Sequence, residues 1–162
     1  MDLGVILPKE RIEAMTAAGA WPNRILVDYL DDAVARGADR PAITTYNGED
    51  DSVITLSYGE LDRLSRRIAL RLLDMGVQPQ DVVAMQLPNW WQFNAVTLAC
   101  SRIGAIFNPL MPIFRERELS YMLGFAEAKV LFVPERFRGY DYRAMVEKLR
   151  PELPHLSEVI YV

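Results

Sequence analysis

Few side chains in this sequence could act as a nucleophile or bind a metal ion. The chain contains one cysteine, Cys100, and one histidine, His155, which lie far apart. Zinc sites take most of their ligands from Cys and His, so no Cys/His cluster can be assembled. Cys100 lies among apolar residues of a predicted helix, where nothing would lower the thiol pKa, and we expect a small buried side chain. His155 lies between Pro154 and Leu156, and we expect it in a connection between a helix and a strand.

The spacing of the glycines excludes two common nucleotide-binding loops. There are nine glycines, and no two of them lie within five residues of each other. Neither G-x-G-x-x-G nor G-x-x-x-x-G-K-[ST] is therefore encoded in these 162 residues.

Arginines are the other candidates for a binding site. Arg136 and Arg138 follow a short apolar run, Val130–Val133, which is typical of a buried strand. Ligands of open parallel sheets collect beyond the carboxyl ends of the strands, so these two arginines lie on the binding side. The alternative is that they are exposed arginines without a partner. Two more arginines complete this basic set, Arg115 and Arg117. Among the acidic residues, Asp50 and Asp51 are expected in a turn, and Glu116 and Glu118 on a solvated helix face.

The stretch from Gly76 to Pro112 predicts the unit that positions such a site. Val82–Leu87 is an apolar run of strand length. Asn89 is a suitable N-cap for a helix that begins at Trp90 and ends before Gly104, which suits a left-handed helix end. An extended run follows, so we expect a right-handed crossover between two parallel strands.

Patterns outside this unit predict further elements. Ser57 and Glu60 form a capping box for a helix that Gly76 ends. Its apolar stripe is Leu61, Leu64, Ile68, Leu72 and Met75. A hairpin is expected from Pro41 onward, with a turn at Asn47–Asp51. The other expected elements are helices near 8–18, 25–35, 115–125 and 142–149 and a buried strand at Val159–Val162, where the sequence stops.

Composition and charge exclude several classes of protein. Hydrophobic residues make up 51% of the chain, the net charge is −4 and the pI is about 5.1. These values argue against a nucleic-acid surface, which needs a basic patch. No apolar run reaches the roughly 18 residues of a membrane helix, and no signal-peptide core is present. We therefore expect a cytoplasmic protein.

Three phrases carry a resemblance to a known family. They are LSYGELDRLSRRIALRLLDMGVQPQDVVAMQLPN, the small-residue helix that ends in RIGA, and NPLMP. The sequence resembles the amino-terminal region of the adenylate-forming acyl-CoA synthetases from about Trp21 onward. The double tryptophan in LPNWWQF and the phrase NPLMPIFRERELSYML look most like medium-chain and cyclohexanecarboxylate-type ligases. Gln80 departs from the family, which often has Gly there.

The resemblance implies a chemistry and a set of site residues. These ligases use ATP and magnesium to make an acyl-adenylate and then transfer the acyl group to coenzyme A. Coenzyme A is implied near Met111, Pro112, Arg136 and Arg138, where an arginine would hold the 3′-phosphate. Trp90 and Trp91 would line an acyl or coenzyme A channel, with simple packing as the alternative. No catalytic or metal-binding residue is expected in this chain, and no cofactor is expected to bind the fragment tightly.

The predicted fold is a three-layer α/β arrangement with a mostly parallel sheet, helices on both faces and an early β-hairpin. Residues 1–24 are predicted to be an extension, and 25–162 the amino-terminal α/β portion of a larger adenylating domain, truncated at its carboxyl end. The fragment alone is expected to be inactive because the family's phosphate loop is missing. The alternative is a stand-alone, non-enzymatic α/β binding module. The resemblance leaves open which acid is activated and whether the protein forms a homodimer.

Overall fold

A computed structural model describes residues 7–48 and 51–162. The α-helices are α1 (Lys9–Ala17), α2 (Leu26–Gly37), α3 (Tyr58–Asp74), α4 (Trp91–Ile103), α5 (Glu116–Phe125) and α6 (Tyr142–Leu149), and a 3₁₀-helix covers Arg150–Glu152. The strands are β1 (Pro41–Tyr46), β2 (Val53–Ser57), β3 (Val82–Met85), β4 (Ile106–Pro109), β5 (Val130–Val133), β6 (Arg136–Phe137), β7 (Tyr140–Asp141) and β8 (Glu158–Tyr161).

A four-stranded parallel sheet forms the centre of the molecule, in the order β4-β3-β5-β8. Its two middle strands are fully buried, which is why they read as continuous apolar runs. β1 and β2 form the expected antiparallel hairpin. The predicted α/β class, parallel sheet and early hairpin are therefore confirmed.

Helices cover both faces of this sheet, as predicted. Alternate strand residues face opposite sides, so Val83 and Met85 belong to one core, and Val82 and Ala84 to the other. Helices α3 and α4 supply the first core, and α5 and α6 the second. A smaller cluster holds α2 and the hairpin against the outer side of α3 and α4.

The capping box of α3 is confirmed. The Ser57 hydroxyl accepts a hydrogen bond from the Glu60 N–H at 3.2 Å, and the Glu60 carboxylate accepts one from the Ser57 N–H at 2.8 Å. The buried face differs from the predicted stripe, because Leu64 and Ile68 are only partly buried. The buried residues are Leu61, Ser65, Ala69 and Leu72. Small side chains at two of these four positions let α3 approach α4 closely, which the apolar pattern did not signal.

Several predicted boundaries were wrong. β3 ends at Met85 rather than Leu87, and the N-cap of α4 is Trp90, whose side chain makes no capping bond, rather than Asn89. The last strand, β8, is partly exposed at the sheet edge rather than buried. The expected left-handed helix end at Gly104 is confirmed, with φ of 70°. In the predicted hairpin turn, Glu49 and Asp50 lie outside the described residues.

A partly buried ion pair links α4 to α3. The Arg102 guanidinium contacts the Asp62 carboxylate, and the two side chains are 11% and 16% exposed. Arg102 Nε also donates to the hydroxyl of fully buried Ser65 at 3.1 Å. The Asp62 carboxylate accepts a second set of bonds from Arg66 Nε, at 2.9 and 3.1 Å. A partly buried ion pair is favourable only where further hydrogen bonds satisfy its remaining donors and acceptors, as Ser65 and Arg66 do here.

Candidate functional site

The strand order creates a crevice at the carboxyl end of the sheet. The chain leaves β3 for α4 on one face, returns through β4, and crosses back to β5, which leads to α6 on the other face. Because neighbouring strands β3 and β5 are followed by helices on opposite faces, a gap opens between their carboxyl ends. The ring of Trp90, after β3, meets that of Phe137, after β5, edge to face at 5.8 Å. This contact marks the position of the crevice.

A polar cavity of about 360 Å³ lies at this position. Two segments that follow the strands line it, Pro88–Trp90 and Phe137–Arg138, together with the tip of the first hairpin at Tyr46–Gly48. The volume is at the lower end of the range usual for small-molecule sites. The cavity therefore has room for part of a ligand, next to one arginine.

The backbone explains how Arg138 reaches this cavity. Strands β6 and β7 form a small hairpin in which Arg136 pairs with Asp141 and Phe137 with Tyr140. The two residues between them, Arg138 and Gly139, have φ of 50° and 73°. Two successive positive φ values are the signature of a tight two-residue hairpin turn. Arg138 thus sits at a turn tip, with its guanidinium 5.2 Å from the centre of the Phe137 ring.

Arg136 is engaged differently. Its Nη2 donates to Asp141 Oδ2 at 2.6 Å across the same hairpin, although its side chain is 75% exposed. An anionic ligand would therefore compete with a carboxylate for Arg136. Arg138 lines the cavity and Arg136 does not.

The segment after β4 lies apart from this cavity and carries Met111 and Pro112. The Pro112 carbonyl accepts hydrogen bonds from Tyr142 Oη at 2.8 Å and from Arg115 Nη1 at 2.6 Å. Arg115 also lies over the Tyr140 ring, 4.0 Å from its centre. Arg115 is thus held by its own neighbours, while Arg117 is exposed on α5.

With this geometry established, comparison with known proteins identifies the family. The family model described as AMP-binding enzyme matches residues 30–162, which include every element of the crevice. The chain belongs to the AMP-binding enzyme family.

Curated AMP-binding enzymes match over nearly the whole chain. The salicyl-AMP ligase / salicyl-S-ArCP synthetase of Mycobacterium tuberculosis is 37% identical over 96% of this chain and 27% of its own length. The 2,3-dihydroxybenzoate-AMP ligase of Bacillus subtilis is 35% identical over 94% and 27%. The medium-chain fatty-acid–CoA ligase of Escherichia coli is 30% identical over 100% and 28%. The chain thus spans about a quarter of the length of these relatives.

A solved structure of an AMP-binding enzyme supports the fold. The apo structure of Mycobacterium smegmatis MbtA has a TM-score of 0.79 and 29% identity, and covers 94% of this chain and 27% of that chain. A second structure, of a putative long-chain-fatty-acid CoA ligase from Rhodopseudomonas palustris, has a TM-score of 0.74 at 24% identity, and covers 86% and 33%. The α/β arrangement is therefore that of adenylating enzyme domains.

The structure also places the other candidate residues, Cys100, His155, Trp90 and Trp91. Cys100 is fully buried, and burial raises the pKa of its thiol to about 12, so it is a small core residue as predicted. His155 is exposed in a turn before β8. Trp90 and Trp91 are partly buried and pack against different core clusters, while Trp90 also lines the cavity.

Within residues 7–48 and 51–162, no group of three His, Cys, Asp or Glu side chains could hold a metal ion. In the same residues, no helix combines the length and apolar character needed to cross a membrane.

Glu118 caps the start of α5 by accepting a hydrogen bond from the Arg115 N–H, and this hydrogen bond keeps the pKa of Glu118 below its usual value.

Three parts of the site were missed from the sequence. Phe137 and the β6–β7 hairpin were not predicted, because strands of two residues carry no recognisable hydrophobic pattern. Gly139 was the one residue that suggested a turn there. Gln86 is buried directly after β3. A single amide in the otherwise apolar run Val82–Leu87 was the signal that could have found it.

Proposed function

We propose that the complete protein is a ligase that activates a carboxylic acid with ATP and magnesium as an acyl-adenylate, then transfers the acyl group to coenzyme A. The observation that carries this proposal is the family match over residues 30–162. Adenylation itself needs donors around a triphosphate, and the glycine spacing supplies no such loop here. This chain would therefore contribute to binding and architecture, and would be inactive alone.

Within that reaction, we assign the crevice to coenzyme A. Arg138 at the turn tip and the exposed Arg136 would hold its phosphates by charge-assisted hydrogen bonds. Arg138 is the stronger candidate, because it lines the polar cavity and Arg136 does not. Met111 and Pro112, in the segment after β4, would contact another part of the same molecule.

For the acid, we propose a medium-chain or alicyclic substrate. The Trp90-Trp91 pair and the phrase NPLMP support this choice, as does the relative named as a medium-chain fatty-acid–CoA ligase. Aryl acids are the second candidate, because two relatives of higher identity are named for 2,3-dihydroxybenzoate and salicylate. One of these is also named for transfer to a carrier protein. Acid and thiol acceptor must therefore be tested together.

The remaining parts of the proposal concern organisation. Residues 1–24 would be an extension and 25–162 the amino-terminal part of the adenylating domain. The protein would be cytoplasmic and, if it associates, a homodimer. A stand-alone, non-enzymatic binding module remains the competing function, and an activity assay separates the two.

The first experiment measures ATP–pyrophosphate exchange by the complete protein with medium-chain, alicyclic and aryl acids. Exchange above a no-protein control with one acid class is expected from the complete protein, and none from residues 1–162 alone. No exchange with any acid would refute the ligase. Exchange by the 162-residue chain would refute its assignment as an inactive part.

The second experiment tests the arginines in the complete protein. Arg138→Ala and the double variant with Arg136→Ala should raise the KM for coenzyme A by roughly 10- to 150-fold, the equivalent of one charge-assisted hydrogen bond. Exchange should be unchanged, because coenzyme A enters after adenylation. Arg117→Ala, which removes an exposed arginine from α5, is the matched control. An unchanged KM for coenzyme A in all variants would mean that both arginines are solvated surface residues that do not bind it.

A further inference from the structure

Gln86, the residue directly after β3, has a fully buried amide. None of its surface is exposed, and its backbone N–H donates to the Phe132 carbonyl at 2.8 Å, which continues the pairing with β5. Strand alternation places its side chain on the face of Val82 and Ala84, which α5 and α6 cover. Burying an amide costs free energy unless it is hydrogen-bonded. Its partners therefore indicate why an amide occupies this position.

The amide nitrogen of Gln86 holds both ends of one turn. Nε2 donates to the Met111 carbonyl at 3.0 Å and to the Phe114 carbonyl at 3.0 Å. The same turn is closed by the Phe114 N–H, which donates to the Met111 carbonyl at 3.1 Å. Because both partners are acceptors only, the atom between them must be the nitrogen, and both of its hydrogens are used. Oε1 is buried and accepts no hydrogen bond in the described part of the chain, so this residue acts here as a donor.

Two more side chains hold the middle of the turn. Tyr142 and Arg115 both donate to the Pro112 carbonyl. Three of the four carbonyls in Met111–Phe114 thus point toward donors on the protein. The side chains of Met111 and Ile113 are 53% and 71% exposed. The turn is fixed through its backbone, which leaves two apolar side chains free to meet a ligand.

We propose that Gln86 is a positioning residue for coenzyme A binding. By fixing the backbone of Met111–Phe114, it presents Met111 and Ile113 in one arrangement and so raises the affinity for coenzyme A without touching it. The proposal rests on the proposed function, which assigns this turn to coenzyme A. Fixing a binding segment before the ligand arrives removes the entropy cost of ordering it on binding.

Kinetics of the complete protein test this role with two variants. Gln86→Leu keeps the approximate volume but removes both donors, and should raise the KM for coenzyme A roughly 10-fold, as expected from two neutral hydrogen bonds partly compensated by Tyr142 and Arg115. ATP–pyrophosphate exchange should stay within about two-fold of the parent. Ser65→Ala removes a buried polar group far from the turn and should change neither value.

Gln86→Glu adds a readout that a purely structural role would not move. An ionised carboxylate would repel the two carbonyls, whereas a protonated one can donate a single hydrogen bond to them. Burial raises the pKa of such a carboxyl group. The KM of this variant for coenzyme A, relative to the parent, should therefore fall as the pH is lowered, while the same ratio for Gln86→Leu stays constant. A constant ratio for both variants would overturn the donor role.

Hydrogen exchange tests the turn independently of catalysis. In the complete protein without substrates, amides of a peptide that covers 110–116 should exchange on the order of 10-fold faster in Gln86→Leu, corresponding to loss of about one net hydrogen bond. Ser65→Ala should leave this peptide unchanged. An unchanged rate of hydrogen exchange in Gln86→Leu would overturn the proposal, whatever the KM for coenzyme A. Faster hydrogen exchange with an unchanged KM would overturn the link to coenzyme A. A parent without any ligase activity would refute the proposed function and with it the coenzyme A role, while the hydrogen-exchange result would still decide whether Gln86 fixes the turn.

Discussion

The ion pair between Asp62 and Arg102 makes an asymmetric prediction about stability. In Arg102→Met, the Asp62 carboxylate keeps its two bonds to Arg66 Nε. In Asp62→Ala, Arg102, whose side chain is 11% exposed, still donates to the Ser65 hydroxyl. Its next carboxylate, that of Asp31, is 3.9 Å away and half exposed. A largely buried cation left with only this longer, half-exposed ion pair to Asp31 is the costlier outcome.

The contacts allow the two costs to be worked out. Loss of one charge-assisted hydrogen bond gives about 2 kcal/mol for Arg102→Met. Breaking a buried pair costs about 3–5 kcal/mol when the remaining charge is uncompensated. Because Arg102 retains its longer ion pair with Asp31, we expect about 3 kcal/mol for Asp62→Ala, the lower end of that range. At about 2–4 °C per kcal/mol for a chain of this size, Asp62→Ala should lower Tm on the order of 10 °C. The double variant should cost clearly less than the sum, because the second change no longer breaks a pair.

Urea titration of the 162-residue chain, followed by tryptophan fluorescence, measures these free energies of unfolding. Asp31→Ala is the matched control, since it removes a carboxylate from the same cluster that is half exposed, and it should cost less than about 1 kcal/mol. Equal losses for Asp62→Ala and Arg102→Met, or additivity of the two within about 0.5 kcal/mol, would refute this reasoning.

Two further predictions concern stability. Leu72→Ala, at a fully buried position of α3, should lower the free energy of unfolding by about 3–5 kcal/mol through lost burial and a cavity. The cap variant Ser57→Ala should lower it by about 1 kcal/mol. Similar losses for the two variants in a denaturant titration would contradict the observed packing. Burial raises the pKa of Asp81, but the hydrogen bond from Lys129 at 2.7 Å and that from the Gln78 N–H outweigh it, so the pKa lies below its usual value of about 3.9. A lowered pKa stabilises the fold above that usual value and the effect is lost as the pH falls through the lower, folded-state pKa. The stability gap between the parent and Asp81→Asn, measured from urea midpoints, should therefore shrink in acid, and a gap independent of pH would refute the assignment.

Local signals in the sequence were sufficient for the regular elements. The cap at Ser57, the left-handed end at Gly104 and the apolar run Val130–Val133 each depend on neighbouring residues only, and each appears as predicted. Gln80, at a position where the resemblance implied a frequent glycine, has φ of 71°. Its backbone therefore keeps the left-handed conformation that glycine adopts most easily.

The parts that were not predicted depend on contacts between distant segments. Which face of α3 is buried depends on α4, and the small Ser65 side chain there is explained by Arg102. The pairing of Trp90 with Phe137 follows from the strand order, which no local pattern encodes. The role of Gln86 became visible only when the turn 25 residues later was in place.

The strand order also affects how the chain folds. Central strand β3 pairs on one side with β4 and on the other with β5, and the second pairing closes a loop that contains α4, β4 and α5. Long loops cost entropy before their contacts form, so this sheet should assemble far more slowly than the β1–β2 hairpin, for which about 1–10 μs is typical. Until Val130–Val133 arrives, β3 has an open apolar edge that can pair with another chain. During synthesis, the chain is therefore most prone to aggregation between the emergence of β3 and the emergence of β5.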